Sequence, residues 1–258
     1  MHDHFAILVT SCDKNSDLWD GFFSQLDKNL SVPVKKYLLT NHQKYDGHYA
    51  NQVQTILVGE DFNWSDCLSS ALNKIPETKL FVILEDFFVS TSIDAKQMVD
   101  LINFSESEDT QLIHCENLPG SISSGFANYT KCEAGTPYLI AVCGIWDREY
   151  LKLLLINGEN PWQFEVNGSY RAQFSAERVY CSKNPLVKFK NMVQKGVWVK
   201  SSIAWAKKNH ILLDYGRRPI QSSSFFYFKD LYFRIILCCP WRYRVAILNF
   251  FRKVFASY

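Results

Sequence analysis

The chain has no glycine-rich phosphate loop. Neither GxxxxGK(S/T) nor a GxGxxG after the first apolar run occurs in it, which argues against a P-loop NTPase and against a dinucleotide oxidoreductase. A GxSxG elbow is also missing, which weakens the case for an α/β hydrolase. The eight cysteines, at positions 12, 67, 115, 132, 143, 181, 238 and 239, form no CxxC pair and match no zinc spacing. The six histidines form no HExxH or comparable pair, so a histidine-built metal site is not expected. No apolar stretch reaches the ~18–20 residues needed to span a bilayer. The N-terminus does not read as a signal peptide, and Cys115 and Cys143 lie inside apolar runs as small hydrophobes. A reducing, cytoplasmic setting is the expectation.

A chain of 258 residues, 47% hydrophobic and 21% charged, can bury a sizeable core as one large domain, or as one domain plus an appendage. The net charge of +2 hides a split. Residues 217–258 carry eight Lys/Arg and one Asp, leaving 20 Lys/Arg and 25 Asp/Glu for residues 1–216. We therefore divide the chain into a body, 1–216, and a basic aromatic segment, 217–258. An acidic body with a basic tail predicts a tail that meets something anionic. Twelve aromatic residues lie between Phe225 and Tyr258, interleaved with Arg234, Arg242, Arg244, Arg252 and Lys253. Pro240 divides two expected helices, 225–238 and 241–255. The pattern predicts amphipathic helices on an anionic membrane surface; helices packed on the body or on a second subunit are the alternative. Nucleic acid is not expected, since the body is acidic and no recognition motif occurs.

Along the body, apolar runs alternate with helical spacing. Phe5–Thr10 reads as a strand, and Leu18, Trp19, Phe22, Phe23, Leu26 and Leu30 form a helical stripe capped by Ser16 or Asp17. Residues 34–40 and 53–58 read as strands, and 64–75 as a helix capped by Asn63 or Ser65. The run KLFVILEDFF at 79–88 is a buried strand that stops at two adjacent acids, Glu85 and Asp86. A helix around 95–104, a strand at 111–115, a long loop at 116–137, a strand at 138–145 and a helix at 147–156 follow. Residues 160–170 read as turn-rich with an isolated acid, Glu165, and residues 201–209 as a helix. This alternation predicts an α/β fold with a mostly parallel central sheet and flanking helices.

Ligands of open α/β sheets gather at the carboxyl ends of the strands. Polar groups collect there: Ser11 and Asp13 after the first strand, Glu85 and Asp86 after a middle one, and Glu165 later. Such a set suits a sugar nucleotide. The first group can hold base and ribose, the middle acids a ribose or a cation bridging a diphosphate, and the last can deprotonate an acceptor hydroxyl.

The order VTSCDKNSDLW, NWSDCLSSAL, FVILEDFF, IWDREYLKLLL, NPWQFE resembles bacterial glycosyltransferases of surface-polysaccharide (O-antigen and capsule) clusters over about residues 5–215. That resemblance implies a GT-A-like fold, and C-terminal amphipathic helices would complete it. It implies a nucleotide-sugar donor and a lipid-linked or oligosaccharide acceptor at the inner face of the cell membrane. Thr10, Ser11, Cys12 and Asp13 would line the nucleotide pocket, Asp17 and Trp19 form its floor, and Trp64 and Ser65 lie near the base or diphosphate. Glu85 and Asp86 would take the place of the acidic motif; either Asp86 alone meets Mn2+ or Mg2+, the preferred reading, or the enzyme works without a firmly held metal. Phe87 stands where many such enzymes carry a metal-binding Asp. Glu165 would be the base of an inverting reaction, with Asp147 the second choice. Arg171, Arg178, Arg217 and Arg218 are of a kind usually solvated at the surface; one or two can neutralise a leaving diphosphate, the pair Arg217 and Arg218 being the first choice.

Each role has a structural alternative. Trp19 and Trp64 suit the core faces of amphipathic helices, while Asp13, Asp17 and Asp147 suit helix caps. A sugar-phosphate nucleotidyltransferase, or a non-catalytic membrane scaffold of the same fold, are the competing functions.

Overall fold

A computed structural model describes residues 3–60, 62–136, 138–194 and 196–221, and the isolated positions 238–240, 243, 246 and 247. Apart from those positions, the two expected tail helices lie outside the described residues. Among the described residues no helix is long and apolar enough to cross a membrane.

The first half runs β1 (Phe5–Thr10), α1 (Ser16–Asn29), β2 (Lys35–Thr40), β3 (Gln54–Leu57), α2 (Trp64–Leu72), β4 (Lys79–Leu84), β5 (Phe87–Val89) and α3 (Ala95–Ser107). Then come β6 (Leu112–His114), β7 (Ile122–Ser123), β8 (Tyr129–Lys131), β9 (Gly144–Asp147), α4 (Arg148–Leu154), α5 (Pro161–Ala172) and β10 (Val179–Ser182). The last described elements are β11 (Phe189–Asn191), β12 (Val193–Gln194), β13 (Val197–Val199), α6 (Lys200–Lys208) and β14 (Ile220–Gln221).

Nine strands form one sheet in the order β3-β2-β1-β4-β9-β6-β10-β8-β7. Seven run the same way; only β8 and β9 oppose them. The expected mostly parallel sheet with flanking helices is present. Because successive side chains of a strand point to opposite faces, β1 and β4 supply two cores at once. Phe5, Ile7, Val9, Phe81 and Ile83 pack with Leu18, Phe22 and Leu26 of α1 and Met98 and Leu101 of α3. Ala6, Leu8, Leu80 and Val82 pack with Leu68 and Leu72 of α2, Leu151 of α4 and Phe164 of α5. Between β4 and β6, β9 needs glycine at 144, where an added Cβ would lie 2.7 Å from Leu112 Cδ1 and 3.0 Å from the Ile113 carbonyl oxygen.

Four local readings change. Within the loop expected over 116–137, Ile122–Ser123 and Tyr129–Lys131 form β7 and β8 at the edge of the main sheet. The strand expected over 138–145 is confined to Gly144–Asp147. Upstream, Tyr138 has a φ of 52°, and the Ile140 and Val142 amides donate to Ser169 Oγ and Glu165 Oε1 of α5 (both 3.0 Å). Those donors serve a helix's side chains and are lost to a ladder. Residues 160–170, expected to be turn-rich, belong to α5. Asn160 and Gln163 form a reciprocal capping box and Pro161 occupies the first turn, where its missing N–H costs nothing. At α1, neither proposed cap serves: the helix begins at Ser16, and Asp17 lies inside its first turn.

At α2 the cap is Asn63, whose Oδ1 accepts from the Asp66 amide (2.9 Å) and the Ser65 hydroxyl (2.8 Å). N63A should lower unfolding free energy by about 1 kcal/mol. Urea unfolding of the two proteins measures this, and an unchanged midpoint would show the cap to be dispensable.

Candidate functional site

β1 and β4 are neighbours, and their register sets Thr10 beside Leu84. The residues that follow each strand therefore emerge together at the carboxyl edge. Thr10, Ser11 and Cys12 form one wall of a cleft of about 320 Å³, with Glu85, Asp86 and Asn15 beside them. Trp64 enters from the start of α2, and Trp162 and Glu165 from the first turns of α5. Asn191, Gln194 and Arg218 close it from the later part of the chain. Trp162 is 56% exposed at this rim, three residues before Glu165 and so on the same face of α5.

Glu85 is buried, and Asn15 Nδ2 donates to its Oε1. Loss of solvent pushes its carboxyl up to about 7, against the pull of its own amide, Asn15 and Arg218. Asp86 is raised well above the ordinary carboxylate range, first by burial and then by the adjacent Glu85 charge. Glu85 can therefore share a proton with a ligand hydroxyl near neutrality, and Asp86 is shifted in the same direction.

Other expected site residues act from behind the wall. Trp19 lies in the core, edge-on to Tyr45 (6.2 Å), and its Nε1 donates to Ser11 Oγ (2.8 Å). Asp13 accepts from the amides of Asn41, His42 and Gln43 at 3.0–3.2 Å, pinning the turn after β2. Ser65 accepts from the Glu159 amide (3.1 Å) and ties α2 to the approach to α5. Asp17, its side chain 3% exposed, is bound by Arg218, and Arg217 stands 4.0 Å from it, half exposed. Asp147 lies apart from the cleft. It caps α4 through the Tyr150 amide (2.9 Å), accepts from Lys79 Nζ (3.2 Å) and pairs with Lys79 at the opposite end of β4, roughly 17 Å away along that strand. The cap alternative is the position it occupies.

A second cavity of about 620 Å³ adjoins the first, and Phe87, Glu165 and Asn191 line both. His114, Glu116, Lys188 and Phe189 also line it. Asn15, Trp162, Asn191 and Gln194 carried no sequence signal of their own, except that Trp162 belongs to the same NPWQFE segment as Glu165.

The cleft offers Mn2+ or Mg2+ a sparse protein donor set, in which Asp86 is the acid left to meet it. Among the described residues no three His, Cys, Asp or Glu side chains converge as a metal site. The Phe87 ring packs on Phe189 (5.7 Å between centroids). One Glu85 oxygen is engaged by Asn15, and a positive charge, that of Arg218, already acts on both acids.

No family model matches the chain, and no curated protein matches it in sequence. Among solved structures it is similar to S. aureus TarS 1–349 in complex with UDP (TM-score 0.53, 10% identity, 71% of this chain and 59% of that one). The crystal structure of TarS 1–349 in complex with UDP-GlcNAc aligns with a TM-score of 0.51 at 10% identity, over 71% of this chain and 57% of that one. The chain thus spans less than two thirds of those structures. Its fold is that of the TarS structures: a mixed α/β architecture with a large, mostly parallel central sheet and flanking helices.

Proposed function

We propose that the protein is a glycosyltransferase that takes a nucleotide-sugar donor in the smaller cleft and a saccharide acceptor in the larger cavity. The observation that carries this reading is the position of Glu165, which lines both cavities at their border. A carboxylate at such a border can take the proton of an acceptor hydroxyl as its oxygen attacks the anomeric carbon and the bond to the nucleoside diphosphate breaks. Thr10, Ser11, Cys12 and Trp64 would contact the nucleotide, held by Trp19, Asp13 and Ser65 behind them. Glu85 and Asp86 would receive ribose or sugar hydroxyls. The TarS structures, solved with UDP and UDP-GlcNAc, support a uridine nucleotide as the first donor to try.

The lipid-linked acceptor, the surface-polysaccharide pathway and attachment to the inner membrane face belong to this proposal. Their support is the basic aromatic composition of 217–258. A nucleotidyltransferase is less favoured, because Ser11–Asp17 holds one lysine and no glycine.

A thermal-shift panel of UDP-, GDP-, dTDP- and CMP-sugars tests the donor assignment. A ligand at about 100 times its Kd adds about 2.7 kcal/mol, or roughly 5–10 °C for a domain of this size. Should none of the panel raise Tm, the donor cleft is wrongly assigned.

A further inference from the structure

We propose that Arg218, and not a divalent cation, supplies the positive charge that faces the donor's diphosphate, so that donor binding and transfer do not need metal. This rests on the donor reading of the smaller cleft.

The argument begins with how Arg218 is held. It reaches back 201 positions along the chain to the first turn of α1, where Nε and Nη2 grip the two oxygens of Asp17 at 3.1 and 2.6 Å. Nη2 also donates to Asn15 Oδ1 (2.8 Å) and to the Lys14 carbonyl oxygen (3.3 Å). The guanidinium lies over the Trp198 ring at 5.9 Å. Its backbone is anchored just beyond, where Ile220 of β14 pairs with Trp198 of β13. The side chain is 12% exposed. A long cation fixed at so many points has little rotamer freedom left to lose when a ligand arrives.

The pattern of bonds is one-sided. Nε and Nη2 are occupied, whereas Nη1 makes no hydrogen bond among the described residues. Arg218 nonetheless lines the cleft with Glu85 and Asp86. One edge of the planar fork is held by a buried carboxylate, and the remaining pair of N–H donors is available at the cleft. That geometry suits a phosphate oxygen, and a cation oriented in advance stabilises the charge that grows on a departing diphosphate. Asn15 links the two halves, accepting from Arg218 through its oxygen and donating to Glu85 through its nitrogen.

The acidic side of the cleft agrees. A metal would need carboxylates free to turn toward it, but Glu85 is engaged by Asn15 and the next position after Asp86 is an aromatic ring packed on Phe189. Where a third acid would stand, the chain has placed a hydrophobic wall shared with the neighbouring cavity.

Calorimetric titration of the full chain with UDP, in EDTA and in Mn2+, tests the proposal, with GDP, CDP, ADP and dTDP run alongside. We expect the preferred nucleoside diphosphate to bind with Kd values that differ by less than about tenfold between EDTA and Mn2+. In EDTA, R218Q should weaken that binding by about tenfold or more, since a charged hydrogen bond to the ligand is lost. Its effect on the free nucleoside, which has no phosphate, should be small. Binding that is more than about tenfold tighter with Mn2+, or an R218Q protein that binds the diphosphate as tightly as wild type, would overturn the proposal. If R218Q fails to fold, the EDTA and Mn2+ titrations of the wild-type protein still decide it. If none of the five diphosphates binds under either condition, the donor cleft itself is misassigned and the proposal falls with it. Binding confined to Mn2+ would leave the glycosyltransferase reading standing and remove only Arg218's role.

Discussion

The E165Q protein should bind UDP as wild type does yet transfer sugar about 10²–10⁴ times more slowly, the range that a positioned general base contributes. Glutamine is the informative substitution here. Glu165 Oε1 accepts from the Val142 amide at 3.0 Å, and a glutamine oxygen can keep that bond while losing its basicity. The irregular segment before β9 therefore stays in place, and the change isolates proton transfer. The measurement is release of nucleoside diphosphate in the presence of acceptor, beside a binding titration. A variant that keeps both rate and affinity would remove Glu165 from the chemistry and leave it as a support for residues 140–142. A loss of UDP affinity equal to the loss of rate would instead place it on the donor.

The second large effect concerns stability and pH. In the folded chain the Glu85 carboxyl titrates at about 7, mainly because burial disfavours its charge, against an ordinary value of 4.5. Between these pH values the native state holds a proton that the unfolded chain has released. Stability therefore falls as pH rises through this window, by a total of about 3 kcal/mol, and changes no further above the folded value. Asp86 is shifted in the same direction. E85Q removes Glu85's part of this cost and can still accept from Asn15. Wild type and E85Q should thus unfold at similar urea concentrations near pH ~5, and E85Q should be more stable by about 3 kcal/mol near pH ~8. Equal stability at both pH values would mean that Glu85 titrates as an exposed acid, and that the cleft is wetter than its packing implies.

Legibility varied along the chain for physical reasons. β1, α1, α2 and β4 could be read because continuous apolar runs and i, i+3, i+4 stripes are the direct imprint of burial on one or two faces. KLFVILEDFF was read as a strand ending in two acids, and β4 does end at Leu84. That β5 begins at Phe87, leaves the main sheet and pairs with β11 could not be read, because pairing partners a hundred residues apart leave no periodic trace. α5 was hidden by its own opening: proline and asparagine mark turns in isolation, but in a capping box they start a helix. The segment from 217 was set apart by its charge, yet Arg218 and β14 are tied to the body through Asp17 and β13. Charge composition reports what a segment carries and not what it touches.

The amino-acid order by itself determined where β1, α1, α2 and β4 form, and that polar and acidic groups stand at the carboxyl ends of β1 and β4. Backbone periodicity and the demand to bury apolar side chains act locally, so they are written locally. The tertiary structure alone decided which of the charged groups meet. It set Glu165 at the border of two cavities and Asp147 at the far end of the sheet, although both are acids near helix starts. It also joined Arg218 to Asp17 across 201 positions. A salt bridge of that span depends on how the intervening chain packs, and neither residue's neighbours in sequence encode it.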